Sequence, residues 1–243
     1  MSAPLLDIAG LRFSWPGSDQ PCLSLEPCQV GRGETVFLHG PSGCGKSTLL
    51  SLMAGVLLPQ AGQVSLLGTA WSALGANARD RRRADHVGYI FQQFNLLPYL
   101  SALDNVVLPC RFSPARHAAA ARHQGSPRAA ARHWLAGMGL DAPLWERPAH
   151  RLSVGQQQRV AAARALIGQP DLVIADEPTS ALDEERRESF VTLLLSACAA
   201  ADSTLVMVSH DRRMAGRFMR QLSLPDINRA VSGMEGACGA DSC

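Results

Sequence analysis

Four short apolar runs, each closing on a polar or charged residue, divide the chain. They are residues 35–39 of ETVFLHG, 87–91 of HVGYIFQQ, 172–175 of PDLVIADE, and the centre of STLVMVSHD. Such unbroken runs, without polar alternation, are the pattern of strands buried on both faces, as in parallel sheets. AGQVSLLG, nearer the start, suits the antiparallel strands of a smaller layer. Between residues about 96 and 149 the pattern changes. ARHAAAARHQGSPRAAARHWLAGMGL is alanine-rich and predicts helix, interrupted at Gly125, Ser126 and Pro127. RLSVGQQQRVAAARAL, residues 151–166, predicts a further helix with Ser153 as its N-cap. Glycine in a first turn costs helix stability, and core packing does not ask for Gly155 there. The start of this helix is therefore expected to hold something.

The polar ends of the apolar runs carry the candidate chemistry. After the first run, Gly40, Gly45, Lys46 and Ser47 fit the G-x-x-x-x-G-K-[ST] spacing of a P-loop, between a strand and a helix starting near residue 46. Glycines let the backbone approach phosphate closely, and successive N–H groups with a helix N-terminus then face the anion. Lys46 is expected to reach the β- and γ-phosphates, and Ser47 to ligate Mg²⁺. The run at 172–175 ends in Asp176 and Glu177. The first suits magnesium; the second suits orienting or deprotonating a water. Gln92, with Gln93 as the neighbouring alternative, follows the run at 87–91, and His210 follows the last. All lie where open α/β sheets bind ligands, beyond the carboxyl ends of the strands.

In this order the motifs resemble those of ATP-binding cassette (ABC) ATPases over about residues 5–220. Trp15 matches the aromatic on which adenine stacks, where most relatives have tyrosine. Gly40, Pro41, Ser42, Gly43, Cys44, Gly45, Lys46, Ser47 and Thr48 match the nucleotide-binding loop, and Gln92 the Q-loop glutamine. LSVGQ, with Ser153, Gly155 and Gln156, matches the family signature. Asp176 and Glu177 match the Walker B pair, Asp183 the D-loop, and His210 the switch histidine. The resemblance implies an α/β fold: a P-loop NTPase (RecA-like) core, an antiparallel β subdomain and a helical signature subdomain. It also implies ATP and Mg²⁺ as cofactors, with Ser47, Gln92 and Asp176 at the metal and Glu177, His210 and Gln92 in hydrolysis. A second copy of the chain would close head to tail, its signature helix pointing at the γ-phosphate. One position departs from the usual LSGGQ: the first glycine is Val154. Either it is held at negative φ, or this signature binds less well; the intact Ser153, Gly155 and Gln156 favour the first.

Composition narrows the reading. Of 23 basic residues only Lys46 is lysine, so the loop keeps the one compact cation in an arginine-biased chain. A net charge of +2 does not call for nucleic acid, and the arginines of the helical stretch suit a solvated face. No run approaches the eighteen or so apolar residues of a spanning helix, and no signal peptide is evident, so a cytoplasmic protein docked peripherally on the inner membrane is expected. The seven cysteines are scattered, and those at 238 and 243 match no metal spacing. One ATPase domain over 1–225 is expected, with a short tail at 226–243 that reads as disordered. The stretch GYIFQQFNLLPYLSALDNVVLP resembles lipoprotein-release (LolD-type) and macrolide-export (MacB-type) cassettes, whose partner is a membrane permease received near Phe94 to Leu103. A cell-division cassette of the FtsE type, acting on a different membrane partner, is the alternative. A soluble cassette acting on DNA or ribosomes fits less well, because only an ordinary helical subdomain separates P-loop and signature.

Overall fold

The computed structural model describes residues 3–18, 20–180 and 182–230; Cys238 and Cys243 lie outside them. Two sheets form. In the first, β1 (Leu6–Phe13) pairs antiparallel with β2 (Leu23–Ser24), β3 (Cys28–Val30) and β5 (Ala61–Leu66), and β5 with β6 (Thr69–Ala70). The second is wholly parallel. Its order is β10 (Arg220–Ser223), β4 (Thr35–His39), β9 (Thr204–Val208), β8 (Leu172–Asp176), β7 (Val87–Ile90). The four apolar runs are β4, β9, β8 and β7 of this sheet, as expected, with β7 at one edge and β10 at the other, except that Phe91 lies past the end of β7 and is exposed.

Strands β4, β7, β8 and β9 are largely apolar because each feeds two cores, whereas the edge strand β10 buries only Leu222. Val36 and Leu38 of β4, Ile174 of β8 and Val206 and Val208 of β9 join the core shared with the antiparallel sheet and α1 (Lys46–Met53). Phe37, Val173, Ala175, Leu205 and Met207 point the other way, into the core under the helices. Side chains alternate along a strand, so neighbouring residues serve opposite layers.

Polar α2 (Ala76–His86) buries no residue and is tied down by its arginines, as in Arg83 Nη1 to the Gly55 carbonyl at 3.1 Å. The helical layer is α3 (Ala102–Phe112), α4 (Pro114–Gln124), α5 (Pro127–Gly137), α6 (Val154–Leu166) and α7 (Glu184–Ala200). The interruption expected at 125–127 is there: Gly125 is left-handed at φ 79°, Ser126 caps α5, and Pro127 fills its first turn. A second Ser-Pro pair, Ser113 and Pro114, starts α4 in the same way. The chain stays packed beyond residue 225. A short helix, α8 (Leu224–Ile227), leads to Asn228, which is 1% exposed. The ordered body therefore takes in part of the segment expected to be tail, and ends no earlier than Ala230.

Candidate nucleotide site

The loop between β4 and α1 needs its glycines. Gly43 and Gly45 have φ of 79° and 101°, and a Cβ on Gly45 would lie 2.9 Å from Leu23 Cδ2. Gly40 has no room either: a Cβ there would meet Cys44 Sγ at 2.8 Å and Pro225 Cδ at 3.0 Å. Gly45 caps α1 without a side-chain bond, and no acidic residue occupies the first turn. The helix thus begins with uncapped N–H groups and an unopposed positive dipole end, which is what an anion requires. Lys46 is 7% exposed, and its ammonium donates to the Gly40 and Pro41 carbonyls at 2.9 and 2.8 Å. The sole lysine is folded onto the loop it belongs to.

The strand ends bring the acidic residues to this loop. Asp176 ends β8 half-buried. Desolvation pushes its carboxyl pKa up, while a hydrogen bond from the Ser47 hydroxyl and the charge of Lys46 pull it down. Asp176 and Ser47 therefore stand together, an all-oxygen pair suited to a hard divalent cation. Glu177 follows at φ 47°, a left-handed conformation unusual for a non-glycine residue, with its N–H donating to the Val208 carbonyl at 3.1 Å. That turn carries its side chain to His210, where Oε1 and Nε2 lie 2.5 Å apart. An open cleft of about 510 Å³ joins Gly40 and Pro41 to His210, with His39, Arg212 and Pro225 on its walls.

The three glutamines opening α6 do three different things. Gln156 completes a capping box: its Oε1 accepts from the Ser153 N–H at 2.9 Å, while Ser153 Oγ accepts from the Gln156 N–H at 3.3 Å. Gln157 donates to the Leu152 carbonyl at 3.0 Å. Gln158, 1% exposed, donates to the Pro178 carbonyl at 2.7 Å, tying this helix to the turn after Glu177. Val154 is the first residue of α6 and is not among the positive-φ residues, so a valine fits there without backbone strain. Ser153 and Val154 are exposed, and a Cβ on Gly155 would meet nothing within 4 Å.

The remaining expected residues stand apart. Trp15 is 47% exposed and meets Phe13 edge to face at 5.2 Å; Gln60 holds the preceding residue through both backbone groups, Ser14 N at 2.8 Å and Ser14 O at 2.6 Å. Gln92 lies in an exposed turn past β7, and among the described residues it makes no hydrogen bond to Ser47 or Asp176. Asp183 caps α7, accepting from the Arg186 N–H at 2.9 Å. Two connections were not foreseen from the sequence. One is Gln158. The other is Arg164, whose guanidinium donates to the Phe94 and Asn95 carbonyls at 2.5 and 2.7 Å and so joins α6 to the segment after Gln92. Phe94 and Asn95 both have positive φ, at 60° and 48°, which turns their carbonyls to the arginine. The arginine-glutamine pattern of α6 could have flagged both, since two long polar side chains interrupt an otherwise alanine-lined buried face.

Residues 27–180 match the family model described as ABC transporter. The ABC transporter ATP-binding protein YbbA of Escherichia coli K12 is 44% identical over 195 residues, covering 80% of this chain and 82% of that protein. The lipoprotein-releasing system ATP-binding protein LolD of Anaeromyxobacter dehalogenans is 38% identical over 244 residues, covering 99% and 98%. Among solved structures, the dimeric post-hydrolysis state of the ATP-binding cassette MJ0796, bound to ADP and Pi, superposes with a TM-score of 0.78. It is 32% identical and covers 90% of this chain and 93% of that one.

Proposed function

Because the chain belongs to the ABC transporter family, as an ATP-binding cassette resembling the LolD type, we propose that it hydrolyses ATP as a head-to-tail dimer and drives a separately encoded membrane permease, in export or lipoprotein extraction. The observation that carries this reading is the meeting of the P-loop, the Asp176–Glu177 pair and His210 at the carboxyl ends of the inner parallel strands, with the signature end of α6 left open. Trp15 offers an exposed ring for stacking adenine. The uncapped start of α1 and Lys46 hold the phosphates, the ammonium exchanging the Gly40 and Pro41 carbonyls for phosphate oxygens. Ser47 and Asp176, with Gln92 brought in on closure, would hold Mg²⁺, which supplies charge neutralisation of the β- and γ-phosphates. Glu177 orients a water in line with the γ-phosphate, and closure separates it from His210, which then donates to the developing negative charge. Ser153 and Gly155 of the second copy complete the site.

The exposed Tyr99 and half-buried Leu96 and Leu97, on the segment that Arg164 anchors, give the permease an apolar landing surface. Among the described residues no helix is long and apolar enough to cross a membrane, so this reading assigns the span to the partner and seats the cassette on the cytoplasmic face. The Glu177→Gln protein tests it. Its turnover should fall by roughly 10²- to 10⁴-fold, the contribution of a positioned base, while ATP is still bound. Pulled from detergent-solubilised membranes with ATP present, it should bring down a permease with a periplasmic domain. Recovery of division proteins would favour the regulatory cassette instead. Ribosomal or DNA-repair proteins, with no membrane partner, would overturn the transport reading.

A further inference from the structure

The end of the described chain runs behind the nucleotide loop and touches both of its flanks. Leu224 and Pro225 of α8 sit against its first glycine; a Cβ on Gly40 would lie 3.0 Å from Pro225 Cδ and 3.6 Å from Leu224 Cβ. Three residues on, Asn228 is 1% exposed, and both ends of its amide bond a different part of the chain. Its Oδ1 accepts from the Ser24 N–H at 2.8 Å and the Ala230 N–H at 3.2 Å, and its Nδ2 donates to the Cys22 carbonyl at 3.1 Å. Arg229 adds a backbone bond to the Ser24 carbonyl at 2.8 Å. The segment so gripped, residues 22–24, is the wall of the other flank. Leu23 Cδ2 and Cys22 Sγ lie 2.9 and 3.4 Å from where a Cβ on Gly45 would be. The same segment returns beside β1, Cys22 N–H donating to the Phe13 carbonyl at 2.8 Å, and Phe13 is the ring on which Trp15 leans.

We propose that Asn228 is a positioning residue for the nucleotide, and that residues 224–228 form a strap fixing the loop from Gly40 to Gly45 and the hairpin that carries Trp15. An asparagine amide suits the task because one side chain accepts from one strand residue and donates to another two positions away. Burial makes the bonds matter: removing the amide leaves the Ser24 N–H and the Cys22 carbonyl without partners. The loop would then keep its own turns but lose the fixed wall that sets the direction of Gly45 and the first N–H groups of α1. The strap touches neither Glu177 nor the signature, so it acts on binding and not on the chemical step. This inference rests on the reading of the P-loop as the ATP site.

The test is a titration with a fluorescent ATP analogue, together with KM and kcat, for Asn228→Ala, Asn228→Asp and a remote control, Leu194→Ala, in the opposite core. Asn228→Ala should raise Kd and KM about ten-fold, the size of one buried hydrogen bond, with kcat within about two-fold. Asn228→Asp keeps the acceptor for Ser24 and Ala230 and should fall between Ala and wild type. Leu194→Ala should lower the melting temperature and leave KM unchanged. An Asn228→Ala protein whose KM equals wild type, or rises no more than that of the control, overturns the proposal. Should the alanine variant not fold, an unchanged KM in Asn228→Asp does the same. Failure of the wild-type protein itself to bind the analogue would bring down the nucleotide reading, and the strap with it.

Discussion

Two helices of this protein begin with glycine-containing turns, and they begin in opposite ways. The start of α1 has no side-chain cap, no acid in its first turn, and a left-handed glycine as its N-cap. The start of α6 is closed by a reciprocal box between Ser153 and Gln156. Both ends carry the same positive dipole and the same orphan N–H groups. On the proposed function, the difference follows from who brings the anion. The loop before α1 has Lys46, Ser47 and Asp176 of its own chain around it, so its N–H groups can be left open for a phosphate. On the proposed head-to-tail reading, the end of α6 faces no phosphate of its own chain, and must hold its shape until a second copy arrives. The box does this without blocking the site. Ser153 Oγ uses only its acceptor capacity on the Gln156 N–H, and at 3.3 Å only weakly, so its hydroxyl proton stays free to donate. The Val154 and Gly155 N–H groups have no partner among the described residues.

Substitutions at the two ends should separate them. The largest effect belongs to Lys46→Ala. It removes the one charged donor at the open end, and at about 1.5–3 kcal/mol for a charged hydrogen bond the Kd for the ATP analogue should rise roughly 10- to 150-fold, in the monomer as in the dimer. Ser153→Ala acts on the capped end and should behave otherwise. Losing the cap costs about 1 kcal/mol, or a fall of about 2–4 °C in melting temperature for a chain of this size. Turnover should drop with it, yet monomer affinity for the analogue should not change. A clear loss of monomer affinity would mean that α6 serves its own chain's nucleotide, and the contrast between the two ends would be lost. The smallest effect on stability is at Asp176. Burial raises its carboxyl pKa in the fold, so the ionised form is disfavoured there and its cost is present above the folded pKa. Stability of the metal-free protein should therefore decline as pH rises through the range between the unfolded and folded values. Asp176→Asn should melt slightly higher than wild type at neutral pH without magnesium, while losing hydrolysis. A lower melting temperature would place the carboxylate in a stabilising role that the burial does not predict.

The layers of the fold were legible because β4, β7, β8 and β9 each feed two cores, leaving runs such as TLVMV that no other element explains. The glycines and lysine of the loop were legible for a related reason: left-handed φ and close packing exclude other residues there. Harder to read were features that depend on distant segments meeting. The Glu177–His210 contact needs the left-handed turn at residue 177, and nothing in DEPTS announces it. Asn228 lies in a stretch whose composition reads as a tail, and only its partners 204 and 206 residues away make it part of the core. The capping box could have been seen in S-V-G-Q, since serine followed three residues later by glutamine is its usual form.

The central claim is that the start of α6 completes the site of a second copy. Gly155→Asp, placed in the Glu177→Gln background, tests it most directly. A Cβ there meets nothing within 4 Å, and an acidic residue in a helix's first turn is favourable to the fold. The same carboxylate would face the partner's γ-phosphate. Light scattering after gel filtration should give Glu177→Gln with ATP a mass near twice 26.0 kDa. The double variant, folded and still binding the ATP analogue, should stay at the single-chain mass. A double variant that dimerises with ATP as readily as its parent would contradict the account.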